Sequence, residues 1–153
     1  MLKIKRRLTH TVRIGKVKIG SGHPVAVQSM VKVRAQNVAK SVEEIRILEL
    51  AGCDIVRIAV EDFKDARALK DIKKRVSIPL VADIHFDYRL ALLAAEAGVD
   101  KIRLNPGNVY RANEVRAVIA AAKNARIPIR IGANSGSLRI RSRDAAGALV
   151  ASV

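Results

Sequence analysis

The feature that most constrains the fold is a strand–helix–strand pattern between residues 78 and 108. An apolar run opens this segment, a helical spacing of Leu and Ala residues follows, and Gly98 stops the helix before a second apolar run begins. Short joints between these parts are typical of a βαβ unit, in which the two strands lie parallel in one sheet. The segment therefore predicts an α/β fold.

The same unit occurs more than once along the chain. Residues 51–58 and 97–104 share the frame A-G-x-D-x-x-R, and the strings IPL at 78–80 and IPI at 127–129 open the strands that follow. A fixed period of this kind is the signature of a repeated βα architecture.

The period assigns a secondary structure to most of the chain. Alternating apolar and basic residues predict a β-hairpin at 11–20. Five strands are predicted. The first covers 24–27 and runs out at the polar residues 28–30, and the other four are 55–60, 80–84, 101–104 and 129–131. The predicted helices are 39–51, 65–76, 87–97 and 113–124, with a final helical fragment at 145–153.

Chain length limits the architecture, because a complete eight-fold βα barrel usually takes roughly 250 residues and this chain has 153. The fold is either a smaller α/β layer or part of a barrel. We expect the second, a partial TIM-type (βα) barrel with about five parallel strands, flanking helices and an N-terminal β-hairpin. We expect one incomplete domain over 1–153, in which 1–22 form a basic arm and hairpin and 23–153 carry the βα repeats. No apolar run approaches the ~20 residues of a membrane span, so we expect a cytoplasmic protein.

The charge balance leaves two interpretations open. The formal net charge is +15, and seven basic residues but no acidic one lie between Met1 and Lys18. Such a surface can bind nucleic acid through phosphate contacts, although only 3% of the residues are aromatic and few rings could stack on bases. A solvated basic surface is the alternative that we favour. The single cysteine, Cys53, excludes an internal disulfide and an all-cysteine metal cage made by this chain alone, and we expect it to be buried and inert.

Strand parity places several polar residues on one face of the predicted sheet. A parallel sheet covered by helices should be apolar on both faces, so a charged residue inside a strand needs a partner or a ligand. Because alternate residues point to opposite faces, polar residues from four strands share one face. These residues are Arg57, Asp83, His85, Arg103, Asn105 and Arg130. They lie near the carboxyl ends of the strands, which form the active-site end of a βα barrel.

Three arginines with one nearby carboxylate predict an anionic ligand, because guanidinium groups bind phosphate or carboxylate oxygens in bidentate fashion. The alternative is an ion-pair network around Arg57 and Asp83 that holds no ligand. His85 taken alone would more often be a hydrogen-bonded core histidine, and its neighbours make a role in the site equally plausible. The turn at 105–108 directly follows a strand, so its backbone N–H groups could also contact an anion.

Five strings, in this order, resemble one known family. They are VAVQSM at 25–30, ELAGCDIVRIAV at 49–60, IPLVADIHFDYRLA at 78–91, GVDKIRLNPGN at 98–108 and IPIRIGANSGSL at 127–138. From about residue 11 onward the chain resembles the N-terminal barrel of the 4-hydroxy-3-methylbut-2-enyl diphosphate synthase family. These are iron–sulfur enzymes of the methylerythritol phosphate route to isoprenoids.

The resemblance implies a TIM-type barrel that binds the diphosphate of methylerythritol cyclodiphosphate. By motif, Arg57, Arg103 and Arg130 would hold diphosphate oxygens, and Asp83, His85, Asn105 and Asn134 would line the same pocket. It also implies reductive ring opening of that substrate by an oxidoreductase that is a homodimer at full length. Flavodoxin or ferredoxin would be the electron donor, and the electrons would pass through a [4Fe–4S] cluster.

Three departures from the family pattern set further expectations. The family's cluster ligands, three cysteines and a glutamate, lie in a C-terminal domain that we expect this chain to lack, so we expect no bound cluster or other metal and no turnover by the chain alone. The segment 31–37 is basic where the family is rich in Thr and Asp, and the loop after Leu138 is shortened. Two rival interpretations are another phosphate- or pterin-binding TIM-barrel enzyme and a basic nucleic-acid-binding protein.

Overall fold

The computed structural model describes residues 7–132, which form two sheets and four helices. In chain order the elements are β1 Val12–Ile14, β2 Val17–Ile19, β3 Gln28–Met30, α1 Val38–Leu50, β4 Ile55–Val60, α2 Phe63–Lys73, β5 Leu80–Ile84, α3 Tyr88–Glu96, β6 Lys101–Leu104, α4 Ala112–Ala125 and β7 Ile129–Ile131. Strands β4 to β7 have the predicted bounds. The predicted helical fragment at 145–153 lies outside the described residues.

The larger sheet is parallel and contains β3 to β7 in chain order. Because each strand pairs with the next in sequence and crossovers are almost always right-handed, the connecting helices lie on one face of the sheet. Apolar side chains of that face, among them Val56, Ile58, Leu80 and Ile102, belong with the helices to one buried cluster. This singly wound βα arrangement, with the hairpin before it, confirms the predicted fold class.

Side-chain caps set the starts of three helices. Asp62 accepts hydrogen bonds from the backbone N–H groups of Lys64 and Asp65, at 2.8 and 2.9 Å, so α2 begins at Phe63 rather than at residue 65 as predicted. Asn37 and Asp87 cap α1 and α3 in the same way. In the described part of the chain, no helix is long and apolar enough to cross a membrane.

The aspartate of the repeated A-G-x-D-x-x-R frame ties each strand to the one before it. Asp54 accepts a 2.8 Å hydrogen bond from the backbone N–H of Val27, and Asp100 accepts one of 2.7 Å from the N–H of Leu80. Asp100 also pairs with the ammonium group of Lys73 at 2.5 Å. The frame therefore fixes the amino ends of the strands, and its arginine then falls on the polar face of the sheet.

The first strand of the sheet was predicted too early. We expected a buried strand at 24–27, but the strand is Gln28–Met30, and Val25 and Val27 are 78% and 55% exposed. Pro24 has no backbone N–H to donate to a neighbouring strand, and the N–H of Val27 donates to the carboxylate of Asp54 instead. Strand pairing therefore begins after Val27.

The β1–β2 hairpin covers the amino end of the polar face. Fully buried Ile14 packs against Ile55 and Val81 in a second, smaller apolar cluster. Gly15 makes the turn with a φ of +54°, a conformation that favours glycine. The hairpin thus closes the end of the sheet that lies opposite the predicted site.

Candidate functional site

The register of the sheet brings the predicted charged residues onto one face. Arg103 lies beside Asp83 on one neighbouring strand and beside Arg130 on the other. Arg57 is in register with Val81, two residues before Asp83. The side chains of three strands can therefore meet above β5.

Asp83 is the centre of this group and is only 3% exposed. Arg103 Nη1 donates a 2.9 Å hydrogen bond to Asp83 Oδ1. Arg57 Nε lies 3.4 Å from Asp83 Oδ2, and His85 Nε2 lies 3.9 Å from the same oxygen. Two guanidinium groups thus share one carboxylate, and the network that we considered as the alternative to a ligand site is present.

Arg57 is poorly satisfied in this network. Its Nε is buried and has no hydrogen-bond partner within the described residues. Its Nη2 donates at 3.0 Å to the Met30 sulfur, and a thioether is a weak acceptor. Buried polar groups normally have good partners, so this guanidinium can gain hydrogen bonds from an added acceptor.

Gly132 shapes the position of Arg103. Arg103 Nη2 donates a 2.8 Å hydrogen bond to the Gly132 carbonyl oxygen. A Cβ at Gly132 would lie 3.0 Å from Arg103 Nε, closer than ordinary contacts allow. The glycine therefore lets the backbone after β7 approach the guanidinium.

Arg130 shares the face but not the Asp83 group. Arg130 is exposed and lines a cavity of about 320 Å³ between the sheet and the hairpin. Lys101 lines the same cavity and is 7% exposed. Burial, with smaller contributions from Arg130 and Arg57, lowers the pKa of Lys101. Sequence reasoning missed this lysine, although it has the same strand parity as Arg103.

The remaining predicted residues lie at the carboxyl ends of β5 and β6. His85 directly follows β5 and is partly exposed. Asn105 directly follows β6, is buried, and accepts a 3.0 Å hydrogen bond from the Gly107 N–H. The Asn108 side chain donates to the His85 carbonyl oxygen, which joins the two loops. Predicted Asn134 lies outside the described residues.

The basic segment 31–37 is held by acidic residues of the neighbouring helices. Arg34 contacts Asp65, Glu61 and Asp62 at 2.7, 2.9 and 2.9 Å, and its hydrogen bond with Asp65 raises the pKa of Arg34. Glu44 accepts hydrogen bonds of 3.0 and 3.1 Å from backbone N–H groups of the segment. Arg34 is therefore a structural cation. The sequence analysis did not predict that Asp65 would pair with Arg34. An acidic residue in the first turn of a helix is common in any case, because its charge interacts favourably with the helix dipole.

All four aromatic residues of the chain lie at the carboxyl end of the sheet. Phe63 begins α2, Phe86 and Tyr88 lie between β5 and the first turn of α3, and Tyr110 precedes α4. Three of them, all but Phe63, line a cavity of about 490 Å³. Arg89 lies over the Phe63 ring with its guanidinium carbon 5.2 Å from the centroid. Phe86 lies beside the predicted site, with its ring centroid 6.0 Å from that of His85.

The residues of this chain do not fit an iron–sulfur cluster. Such clusters are held by a set of thiolates, and the sequence contains one cysteine, Cys53. Cys53 is half-buried rather than fully buried as predicted, and it packs against the main apolar cluster. Among residues 7–132 no group of three or more His, Cys, Asp or Glu side chains is placed to hold a metal ion.

Comparison with known proteins shows the family of the chain. The sequence profile of the GcpE TIM-barrel domain matches residues 9–152, which is nearly the whole chain. The chain belongs to the GcpE TIM-barrel family.

Two curated relatives of this GcpE domain carry the name 4-hydroxy-3-methylbut-2-en-1-yl diphosphate synthase (flavodoxin). The protein from Caldanaerobacter subterraneus subsp. tengcongensis is 54% identical over 138 residues, which are 90% of this chain and 39% of that protein. The protein from Thermotoga maritima is 54% identical over 134 residues, which are 88% of this chain and 39% of that protein. The chain therefore spans about two fifths of the length of these relatives.

Solved structures show the same fold at low identity. A mandelate oxidase structure superposes with a TM-score of 0.56 at 13% identity, and the match covers 90% of this chain and 66% of that one. A second structure of mandelate oxidase gives 0.56 at 12% identity. Similarity at this level shows the fold alone. The GcpE match confirms the family that the sequence strings indicated.

Proposed function

We propose that this chain is the substrate-binding part of a 4-hydroxy-3-methylbut-2-en-1-yl diphosphate synthase and that it binds the diphosphate of methylerythritol cyclodiphosphate. The observation that carries the proposal is the pair of guanidinium groups on Asp83, one of which has a buried Nε without a hydrogen bond in the described part of the chain. The name shared by the curated relatives supplies the diphosphate chemistry.

Charge at the polar face favours an anion. In strands β3 to β7 this face carries four basic residues, Arg57, Lys101, Arg103 and Arg130, against one carboxylate, Asp83. Buried charges are costly unless they are paired. A diphosphate offers several anionic oxygens in forked positions, which match guanidinium donors. It would give Arg57 the acceptor that the Met30 sulfur supplies poorly.

The neighbouring residues receive supporting roles in this proposal. Arg103 would contact the diphosphate with the donors that Asp83 leaves free, and Arg130 would turn from the hairpin cavity toward its neighbour Arg103. His85, Asn105 and Asn134 would line the pocket from the carboxyl ends of the strands. Asp83 would orient both guanidinium groups and act as a positioning residue.

The reduction itself is not assigned to residues of this chain. In the family that the sequence resembles, a [4Fe–4S] cluster supplies electrons for reductive ring opening. We propose that its ligands belong to a separate domain of the enzyme, and that the full-length protein is a homodimer that accepts electrons from flavodoxin or ferredoxin. The names of the two curated relatives, which include flavodoxin, support that donor. We expect the chain alone to bind substrate without turnover.

Isothermal titration calorimetry with methylerythritol cyclodiphosphate tests the proposal. We expect heat of binding for the wild type and at least about a tenfold weaker affinity for Arg103→Ala, since loss of a charge-assisted contact in a partly buried site costs about 2 kcal/mol or more. Arg116→Ala removes an exposed arginine from α4 and is the matched control. An absence of heat with the wild type, or equal affinities for the Arg103 and Arg116 variants, would show that the arginines beside Asp83 do not bind the diphosphate.

A further inference from the structure

The segment directly after β3 carries a lysine at the carboxyl end of the sheet. Met30 ends β3, and its sulfur accepts a hydrogen bond from Arg57. The Val31 N–H donates a 2.8 Å hydrogen bond to the Arg57 carbonyl oxygen, so the parallel pairing continues one residue beyond the strand. Val31 and Val33 both pack into the main apolar cluster on the helix side. Because alternate residues of an extended chain point to opposite faces, exposed Lys32 lies on the side of Met30 and Arg57.

The backbone at Lys32 is held by two helices. The Glu44 carboxylate on α1 accepts hydrogen bonds of 3.0 and 3.1 Å from the N–H groups of Lys32 and Val33. Two residues after Lys32, Arg34 is bound by Asp65 of α2 at 2.7 Å. These contacts use only the backbone of Lys32, and no hydrogen bond or ion pair joins its ammonium group to another residue in the part of the chain that the structure describes. The segment therefore presents this charge from a fixed position.

The guanidinium group beside this lysine is the one that lacks good acceptors. Arg57 Nε is buried without a hydrogen bond among residues 7–132, and its Nη2 donates only to the weakly accepting Met30 sulfur. Two residues of extended chain span roughly 6.6 Å, a distance that a lysine side chain covers. An anion that replaces the Met30 sulfur beside Arg57 is therefore within reach of the Lys32 ammonium group.

The charge of the Asp83 group is too small for a diphosphate. Two guanidinium groups and one carboxylate sum to one positive charge, whereas a cyclic diphosphate carries one negative charge on each of its two phosphates. We infer that Lys32 is a further diphosphate-binding residue, whose ammonium group contacts the phosphate that Arg57 holds. This inference rests on the proposed diphosphate binding and adds a residue to it. An exposed ammonium group gives up little hydration on contact with the phosphate, so its attraction to the ligand is not offset by burial.

Isothermal titration calorimetry with methylerythritol cyclodiphosphate tests the role of Lys32. We expect at least about a threefold weaker affinity in Lys32→Met, the size of a partly exposed charge contact. Lys32→Arg keeps the positive charge and should bind within about threefold of the wild type. Lys70→Met removes an exposed lysine from the last turn of α2, at the opposite end of the sheet, and should bind as the wild type does.

The outcomes separate this inference from the proposal on which it rests. If Arg103→Ala loses affinity but Lys32→Met stays within about threefold of the wild type, diphosphate binding stands and the role of Lys32 is refuted. An equal loss in Lys32→Met and Lys70→Met would also refute it, and an absence of heat with the wild type would overturn both. The NMR amide signal of Val33 reports whether the segment is intact, and Lys32→Gln replaces Lys32→Met under the same criterion if that signal moves.

Discussion

Removal of the charge on Asp83 tests the ion network at the centre of the candidate site. In Asp83→Asn the two guanidinium groups lose their shared carboxylate, which lies 2.9 Å from Arg103 Nη1 and 3.4 Å from Arg57 Nε. Removing one partner of a buried ion pair costs about 3–5 kcal/mol. We expect about 3 kcal/mol, the low end of that range, because the side chains of Arg103 and Arg57 remain 16% and 27% exposed to water.

Urea unfolding at pH 7 measures this loss, and the exposed pair formed by Asp71 and Lys74 provides the control. Asp71 Oδ1 lies 3.7 Å from Lys74 Nζ with both side chains more than half exposed, so Asp71→Asn should change the free energy of unfolding by less than about 1 kcal/mol. If Asp83→Asn costs no more than Asp71→Asn, the guanidinium groups do not depend on this carboxylate.

Pyrophosphate provides a second measurement on the same variant. A ligand that binds only the folded state raises its stability by RT ln(1 + [L]/Kd). Asp83→Asn removes the carboxylate that positions both guanidinium groups, so we expect pyrophosphate to stabilise the variant less than the wild type. Equal or larger stabilisation would contradict the positioning role of Asp83.

Three other predictions concern the helices and the chemistry. Arg126 ends α4 in the left-handed conformation, with φ 56°, so Arg126→Gly should be more stable to urea than Arg126→Ala by about 1 kcal/mol; equal stabilities would mean that the backbone carries no such strain. The hydrogen bond from Arg89 lowers the pKa of Asp87 below its usual 3.8, so the stabilising effect of its charge is present above about pH 4 and is lost as the pH falls through the folded-state pKa. Asp87→Asn, which keeps the helix cap, should therefore be less stable than the wild type at pH 7 and approach it in acid; a constant difference down to about pH 2 would contradict this. Anaerobic reconstitution with iron and sulfide should leave the chain without cluster absorbance or synthase turnover, and a stoichiometric cluster would show that thiolates beyond Cys53 are not needed.

The sequence predicted the sheet well because its local signals agree. Each of the strands β4 to β7 begins one to three residues after a glycine or a proline, and their bounds were predicted residue for residue. The first strand was misplaced because the segment 24–27, which contains Val25 and Val27, is as apolar as a buried strand. Only the tertiary contact of Asp54 with the Val27 N–H shows that the ladder begins later. Helix α2 was predicted to begin at residue 65, and it begins at Phe63 because the Asp62 side chain caps the N–H groups of Lys64 and Asp65.

Strand parity predicted which face each charged residue occupies, but not the direction of the side chain along the strand. Arg57 extends toward the carboxyl end and reaches Asp83, while Arg130 lines the cavity at the amino end. Lys101 was overlooked because a lysine at the start of a strand is usually exposed. Its burial depends on the hairpin, which lies more than 80 residues earlier in the chain.

A crystal structure of the chain with methylerythritol cyclodiphosphate tests the central claim most directly. The account predicts diphosphate oxygens within hydrogen-bond distance of Arg57 Nε and of an Arg103 guanidinium nitrogen, with Asp83 still between the two side chains. A ligand bound elsewhere, with Arg57 Nε still without a hydrogen bond and Arg103 unmoved, would contradict it.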